Sequence, residues 1–333
     1  MRSIYLLSFL LATVAVCACN NDYDILQPSI DNTDTNTYTI ANCQTEILGL
    51  RSYPDAVGNH VATMYSIDLK GNETRISTVG AGKYSVLAYQ GVVVGYKYIT
   101  ASNNSSYNNS GSSNLVSVDL SSKNTAIIIG SDRMAIPVYS STNKMFYAVK
   151  HAFYQGAPDT LVRFTTSNDA VINDTNIAIV PANIISVACN QQNGDVYMIG
   201  GEANTQLFKY ANGTLTNIPL NNVQNQSLQG LCYNRKDGLL YATLTANKGV
   251  RVTTIVDISP SNGYVTMLRN MPVSLGIDVF SVAMDDCNGN YILTGLNLNG
   301  QQQNFIAIYN CSKKSISTHT TPYFYYGLAV KYN

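Results

Sequence analysis

Gly230-Leu231-Cys232, Asp237-Gly238, Leu240-Tyr241 and Val256-Asp257 together form one complete copy of a pattern that runs through this chain. The opening triplet, a small residue, an aliphatic residue and a second small residue, recurs as Val86-Leu87-Ala88, Ala135-Ile136-Pro137, Ser186-Val187-Ala188, Ser281-Val282-Ala283 and Gly327-Leu328-Ala329. The third positions of consecutive copies lie 44 to 51 residues apart. That period accommodates four short antiparallel strands and is the length of a propeller blade. Alternate residues of a strand face opposite ways, so the two small positions share a face on which neighbouring blades can converge.

A second motif recurs with the same period. Tyr65-Ser66-Ile67-Asp68, Val116-Ser117-Val118-Asp119, Val162-Arg163-Phe164-Thr165, Phe208-Lys209-Tyr210-Ala211, Thr254-Ile255-Val256-Asp257 and Ile306-Ala307-Ile308-Tyr309 read as third strands. Between the two motifs lie Thr142-Asn143-Lys144, Asn193-Gly194, Asp237-Gly238 and Asn288-Gly289, each followed by an apolar run. Asn-Gly and Asp-Gly between apolar runs signal tight hairpins. The pattern predicts an all-β, six-bladed propeller of four-stranded antiparallel blades. The last copy ends with the chain, whereas residues 36 to 83 hold a second motif without a first. The C-terminal strand is therefore expected to complete the N-terminal blade and remove an open edge. A seven-bladed alternative needs Thr45 to Pro54 to be a further inner strand.

Composition narrows the partners. The 333 residues are 45% hydrophobic and only 12% charged, with 20 Lys plus Arg against 20 Asp plus Glu. Typical domains carry about 25% charged residues. With zero net charge and no basic cluster, a nucleic acid held by phosphate contacts is not an expected partner. Tyr (24) takes the place of Trp (0) as the large aromatic residue.

The N-terminus reads as a targeting segment. Arg2 precedes the apolar run Ile4 to Val16, and Val16-Cys17-Ala18-Cys19 resembles a bacterial lipobox, with Cys17 departing from the usual middle residue. The resemblance implies a signal peptide over 1–18 and lipidation at Cys19; low hydrophobicity and small polar residues make 19–37 a polar tether, and the repeats place the propeller over 38–333. The expected location is the cell envelope, lipid-anchored, on the outer-membrane or periplasmic side. An ordinary secretory signal is the alternative.

Of seven cysteines, Cys189 and Cys232 read as small apolar fillers of inner strands. Cys287 and Cys311 fall in two turns of one blade and are candidates for a disulfide in an oxidising compartment. His60, His151 and His319 sit in different blades without accompanying ligands, so no zinc site is expected. Asp286, Asn288 and Asn290 have the alternate spacing of a calcium loop but lack its Gly and its later Glu, and they align with a hairpin of every other blade. The recurring Asp68, Asp119 and Asp257 suit turn capping. Gly200-Gly201 has no phosphate-loop context, and no Gly-x-Ser-x-Gly elbow occurs. No catalytic residue, cofactor or metal is assigned.

Leu231 through Leu240-Tyr241 and Val256-Asp257 resemble the blades of YncE-like and NHL-like bacterial propellers, with the resemblance covering residues 38 to 333. It implies an extracytoplasmic binding or assembly role and carries over no catalytic position. The function expected is a membrane-tethered module that contacts an envelope protein or glycan, on its own or as a subunit of an envelope or secretion complex. Contact is expected through Ser102 to Ser113, with Asn103, Asn104, Tyr107, Asn108 and Asn109, and through the loop Asn168 to Asn183, with Asn173 and Asn176. Tyr supplies rigid contact area and Asn adaptable hydrogen bonds. The alternative is a propeller hydrolase or lyase with acidic groups at the central channel.

Overall fold

The computed structural model describes residues 43–54, 60–79, 90–103, 113–152, 157–201, 205–223, 226–246, 253–271, 281–297 and 303–332. Blade 1 contains β1 (Thr45–Pro54), β2 (His60–Ile67) and β3 (Glu73–Val79). Blade 2 contains β4 (Gly91–Val94), β5 (Lys97–Asn103), β6 (Ser113–Asp119) and β7 (Thr125–Ile127). Blade 3 contains β8 (Met134–Ser140), β9 (Met145–Lys150), β10 (Asp159–Ser167) and β11 (Ala170–Val180). Blade 4 contains β12 (Ile184–Cys189), β13 (Val196–Gly200), β14 (Gln206–Ala211) and β15 (Thr214–Ile218). Blade 5 contains β16 (Gln226–Asn234), β17 (Leu239–Ala246), β18 (Thr253–Ile258) and β19 (Val265–Asn270). Blade 6 contains β20 (Ser281–Asp285), β21 (Asn290–Asn297), β22 (Gln303–Asn310) and β23 (Ser315–Thr321). The final strand, β24 (Tyr326–Tyr332), pairs antiparallel with β1, giving the order β24-β1-β2-β3. The ring is six-bladed and closed by its C-terminal strand, and Thr45–Pro54 is a second strand rather than the inner strand of a seventh blade.

Every second motif lies on a third strand, and five of the six triplets lie on inner strands. The triplet Val86-Leu87-Ala88 falls outside the described residues, where the inner strand of blade 2 is Gly91–Val94.

Both faces of each sheet are buried. On β22, Phe305, Ala307 and Tyr309 pack toward blade 5 with Cys232, Tyr241 and Ile255. Ile306 and Ile308 turn the other way, onto Ile47, Ile67 and Leu328 of blade 1. The two-residue period thus serves two interfaces at once, which is why these strands read as continuous apolar runs.

The inner strands carry a repeated irregularity. The β16–β17 ladder shifts register between Gln229 and Cys232, and the β24–β1 ladder between Leu48 and Leu50. A bulge of this kind releases a backbone N–H from its ladder. Each one is taken up by the preceding blade: Ser186 Oγ accepts from the Leu231 N–H at 2.7 Å, and Ser281 Oγ accepts from the Leu328 N–H at 2.6 Å. From the following blade, Tyr291 Oη donates to the Gly230 carbonyl at 2.6 Å and Tyr98 Oη donates to that of Gly327. Gly230 has φ +66°, and a Cβ there would meet Val282 Cγ1 at 2.6 Å. The first small position of a triplet therefore either bonds the next blade or lets the backbone turn under a tyrosine.

Candidate functional site

Antiparallel order gives the disc two faces. One holds the turns between first and second and between third and fourth strands; the other holds the second-to-third and blade-to-blade connections.

On the turn face, one geometry repeats. Asn190 Oδ1 accepts from the Gln192 N–H at 2.9 Å, Asn234 Oδ1 from the Lys236 N–H at 3.1 Å, and Asp285 Oδ1 from the Cys287 and Asn288 N–H groups at 3.1 Å. Gly194, Gly238 and Gly289 close the same turns with positive φ. These are Asx turns. Within the suggested calcium loop, Asn288 Nδ2 and Asn290 Nδ2 donate to Asp285 Oδ2 at 2.8 and 3.2 Å, so two amides occupy the carboxylate that the spacing had left out. Among the described residues, no three His, Cys, Asp or Glu side chains converge as a metal site requires. Asp68 and Asp119 cap their turns through the Lys70, Asn72, Ser121 and Ser122 N–H groups. Asp257 does not: it bonds Thr266, its partner on β19.

The closing seam lies on this face. Cys287 is disulfide-bonded to Cys43, with Cα atoms 6.0 Å apart, and Cys311 is a buried free thiol. The expected Cys287–Cys311 bridge is thus corrected. Cys311 packs toward blade 5 beside Cys232 and Tyr241, whereas the turn holding Cys287 faces the start of β1, where Asn288 Nδ2 donates to Thr45 Oγ1 at 2.9 Å. The Asp286 N–H donates to Tyr332 Oη at 2.9 Å, and Lys331 Nζ pairs with Glu46 at 3.0 Å. Burial pushes the Asp286 carboxyl up to about 6, offset in part by the Arg235 backbone N–H and charge.

The opposite, loop face holds a pocket in blade 3. Arg133, Lys150, His151, Ala152, Ala157, Pro158, Thr160 and Asn176 line a cavity of about 340 Å³. Arg133 ends the connection into β8, Lys150 and His151 end β9, Pro158 and Thr160 lie at the start of β10, and Asn176 lies on β11. Lys150 pairs with Thr160 across the ladder, which puts both side chains on one face. The floor is organised by Asp159, only 2% exposed. Its Oδ2 meets His151 Nδ1 at 3.0 Å and accepts from the Ile184 N–H of blade 4 at 2.7 Å, while Oδ1 accepts from the Ala152 N–H at 3.1 Å. A carboxylate at Nδ1 sets that nitrogen as the donor and leaves Nε2 for another partner. Arg133 Nη1 donates to the His151 carbonyl at 3.2 Å, and Arg133 itself has φ +64°. The arrangement places Arg133, Lys150 and an oriented imidazole around one opening.

The expected contact residues divide on this frame. Asn176 lines the pocket. Asn173 lies on the exposed outer strand at φ +54°, within a bulge opposite Arg163 and Thr165. Residues 168 to 183 are mostly strand β11 rather than a loop, a correction whose cause is the pairing of Ala170–Val180 with β10. Asn103 ends β5, while Asn104, Tyr107, Asn108 and Asn109 fall outside the described residues, as does Cys19. Sequence reading treated His151 as isolated; the signal available was Asp159, eight residues on, across the connection from β9 to β10.

No protein-family model and no curated protein matches this chain. Among solved structures, it is similar to TolB from Acinetobacter baumannii, with a TM-score of 0.62 and 10% identity over 86% of this chain and 66% of that one. The shared feature is the β-propeller. This chain spans just under two thirds of the TolB chain. An oligogalacturonate lyase from Vibrio parahaemolyticus is also similar, with a TM-score of 0.49 and 11% identity over 84% of this chain and 86% of that one. At these identities the likeness concerns the fold.

Proposed function

We propose that this chain is a membrane-tethered, extracytoplasmic binding module that presents its loop face to an envelope protein or glycan. The observation that carries this reading is the cation-lined pocket of blade 3, on the face that carries the second-to-third-strand connections. Binding residues gather on loops held by a rigid scaffold. The Cys43–Cys287 disulfide supports an oxidising compartment, and the lipobox-like Val16-Cys17-Ala18-Cys19 supports an anchor at Cys19. The resemblance to YncE-like and NHL-like propellers supports the same class of role. The test is a mild-detergent pull-down of the tagged chain from its native envelope, alongside Cys19→Ala and Lys150→Ala chains. A stoichiometric partner lost with Lys150→Ala supports the module, and release of Cys19→Ala from membranes supports the anchor. A monomer that retains no partner overturns the module reading, and unchanged membrane retention of Cys19→Ala overturns the anchor.

A further inference from the structure

We infer that the blade 3 pocket takes an acidic saccharide: one sugar-sized ring bearing a carboxylate or phosphate group. This rests on the binding-module reading and names the ligand chemistry of its pocket. Three features of the lining lead there.

The first is charge. Lys97, Lys209 and Lys331 are each engaged by a carboxylate, Asp169, Asp195 and Glu46 respectively. Lys150 has no ion-pair partner among the described residues, and it lies at the cavity beside Arg133 and His151. The nearby carboxylate, Asp159, is buried and already accepts from His151 and two backbone N–H groups, so it is turned away from an incoming ligand. In a chain of zero net charge, such a cluster is a local anion site, and charge-assisted bonds to carboxylate or phosphate are the strong ones.

The second is size. A cavity of about 340 Å³ sits at the lower end of the range of small-molecule pockets, roughly 300–1,000 Å³. It suits a single ring with its charged substituent rather than an extended chain.

The third is the rest of the wall. Thr160 and Asn176 offer neutral donors and acceptors suited to hydroxyls, while Ala152, Ala157 and Pro158 give an apolar side for a ring's C–H face. A bare inorganic anion would leave these groups unused.

Isothermal titration of the full chain at low ionic strength with glucuronate, glucose 6-phosphate, glucose and acetate tests the assignment. One or both acidic sugars are expected to bind at least tenfold more tightly than glucose or acetate, and Lys150→Ala is expected to weaken that binding about tenfold, equivalent to roughly 1.4 kcal/mol. Binding of glucuronate alone assigns a carboxylate and of glucose 6-phosphate alone a phosphate. Equal binding of glucose, equal binding of acetate, or no heat with any probe at 10 mM, a ceiling corresponding to only about 3 kcal/mol, overturns the inference. If these titrations fail while the pull-down still yields a partner lost with Lys150→Ala, the binding-module reading stands without its saccharide. If they succeed and no envelope partner is retained, the pocket stands and that reading fails.

Discussion

The two faces of the disc are built from the same strands and behave as opposites. On the turn face, Asn190, Asn234 and Asp285 hold equivalent positions and accept equivalent bonds from the N–H group two residues on, Asp285 also from the one three residues on. On the loop face, Arg133, Lys150, His151 and Asn176 converge on one pocket in blade 3. Repetition marks what the ring needs in order to stand; its interruption marks what one blade adds. Substitutions on the turn face should therefore register as stability, and substitutions at the pocket as binding.

The largest effect is expected at the seam. Cys43→Ser with Cys287→Ser opens a cross-link spanning 244 residues, and denaturant unfolding should show a loss of about 2–5 kcal/mol. Chain-end pairing through β24 should survive, so the variant should still fold; an unchanged unfolding midpoint under non-reducing conditions would show that the bridge adds nothing to closure. Next comes Asp285→Ala. This carboxylate is fully buried and accepts from two backbone N–H groups and two side-chain amides, and its removal should cost about 2–3 kcal/mol because those donors lose their acceptor. Asn234→Ala, at the equivalent turn, should cost less, about 1 kcal/mol; if the two cost the same, the extra amide network around Asp285 is idle.

A pH-dependent effect is expected from Asp286, whose carboxyl burial raises to about 6. Its folded value lies above the unfolded one, so the native state holds the proton more tightly and stability falls as pH rises from about 4 to about 6, then levels. Asp286→Asn should remove that slope, leaving stability at pH 4 unchanged and raising it at pH 7 by about 1–3 kcal/mol, as thermal melts across the range would read. The smallest stability effect belongs to the loop face. Lys150→Ala should change unfolding free energy by less than about 0.5 kcal/mol while weakening ligand binding about tenfold. A variant that melts several degrees lower would instead place Lys150 in the structural frame and blur the distinction between the faces.

Much of the frame was legible in the residues. Asn193-Gly194, Asp237-Gly238 and Asn288-Gly289 announce hairpins because the turn needs a left-handed residue where Gly has no Cβ to clash, and all three glycines have positive φ. The third-strand motifs were equally plain, since burial on both faces leaves an unbroken apolar run. The inner triplets were legible as small residues, but the hydroxyls of Ser186 and Ser281 were not legible as acceptors for the next blade. That role depends on a bulge one blade away. Asn176 could be singled out as a contact residue, yet as part of a loop rather than of the outer strand β11.

What the sequence determined by itself is the number of blades, the order of strands within them and the C-terminal closure of the ring. These follow from a period and from turn chemistry, both of which act over a few residues. What only the tertiary structure decided is which distant groups meet. Cys287 pairs with Cys43 rather than Cys311 because its turn faces the seam, and Arg133, Lys150, His151 and Asn176 share one pocket because strand pairing within blade 3 brings together the start of β8, the end of β9, the start of β10 and the middle of β11. A repeat fixes the scaffold locally, while a site depends on which distant residues strand pairing and blade packing bring together, and that is set only in the folded ring.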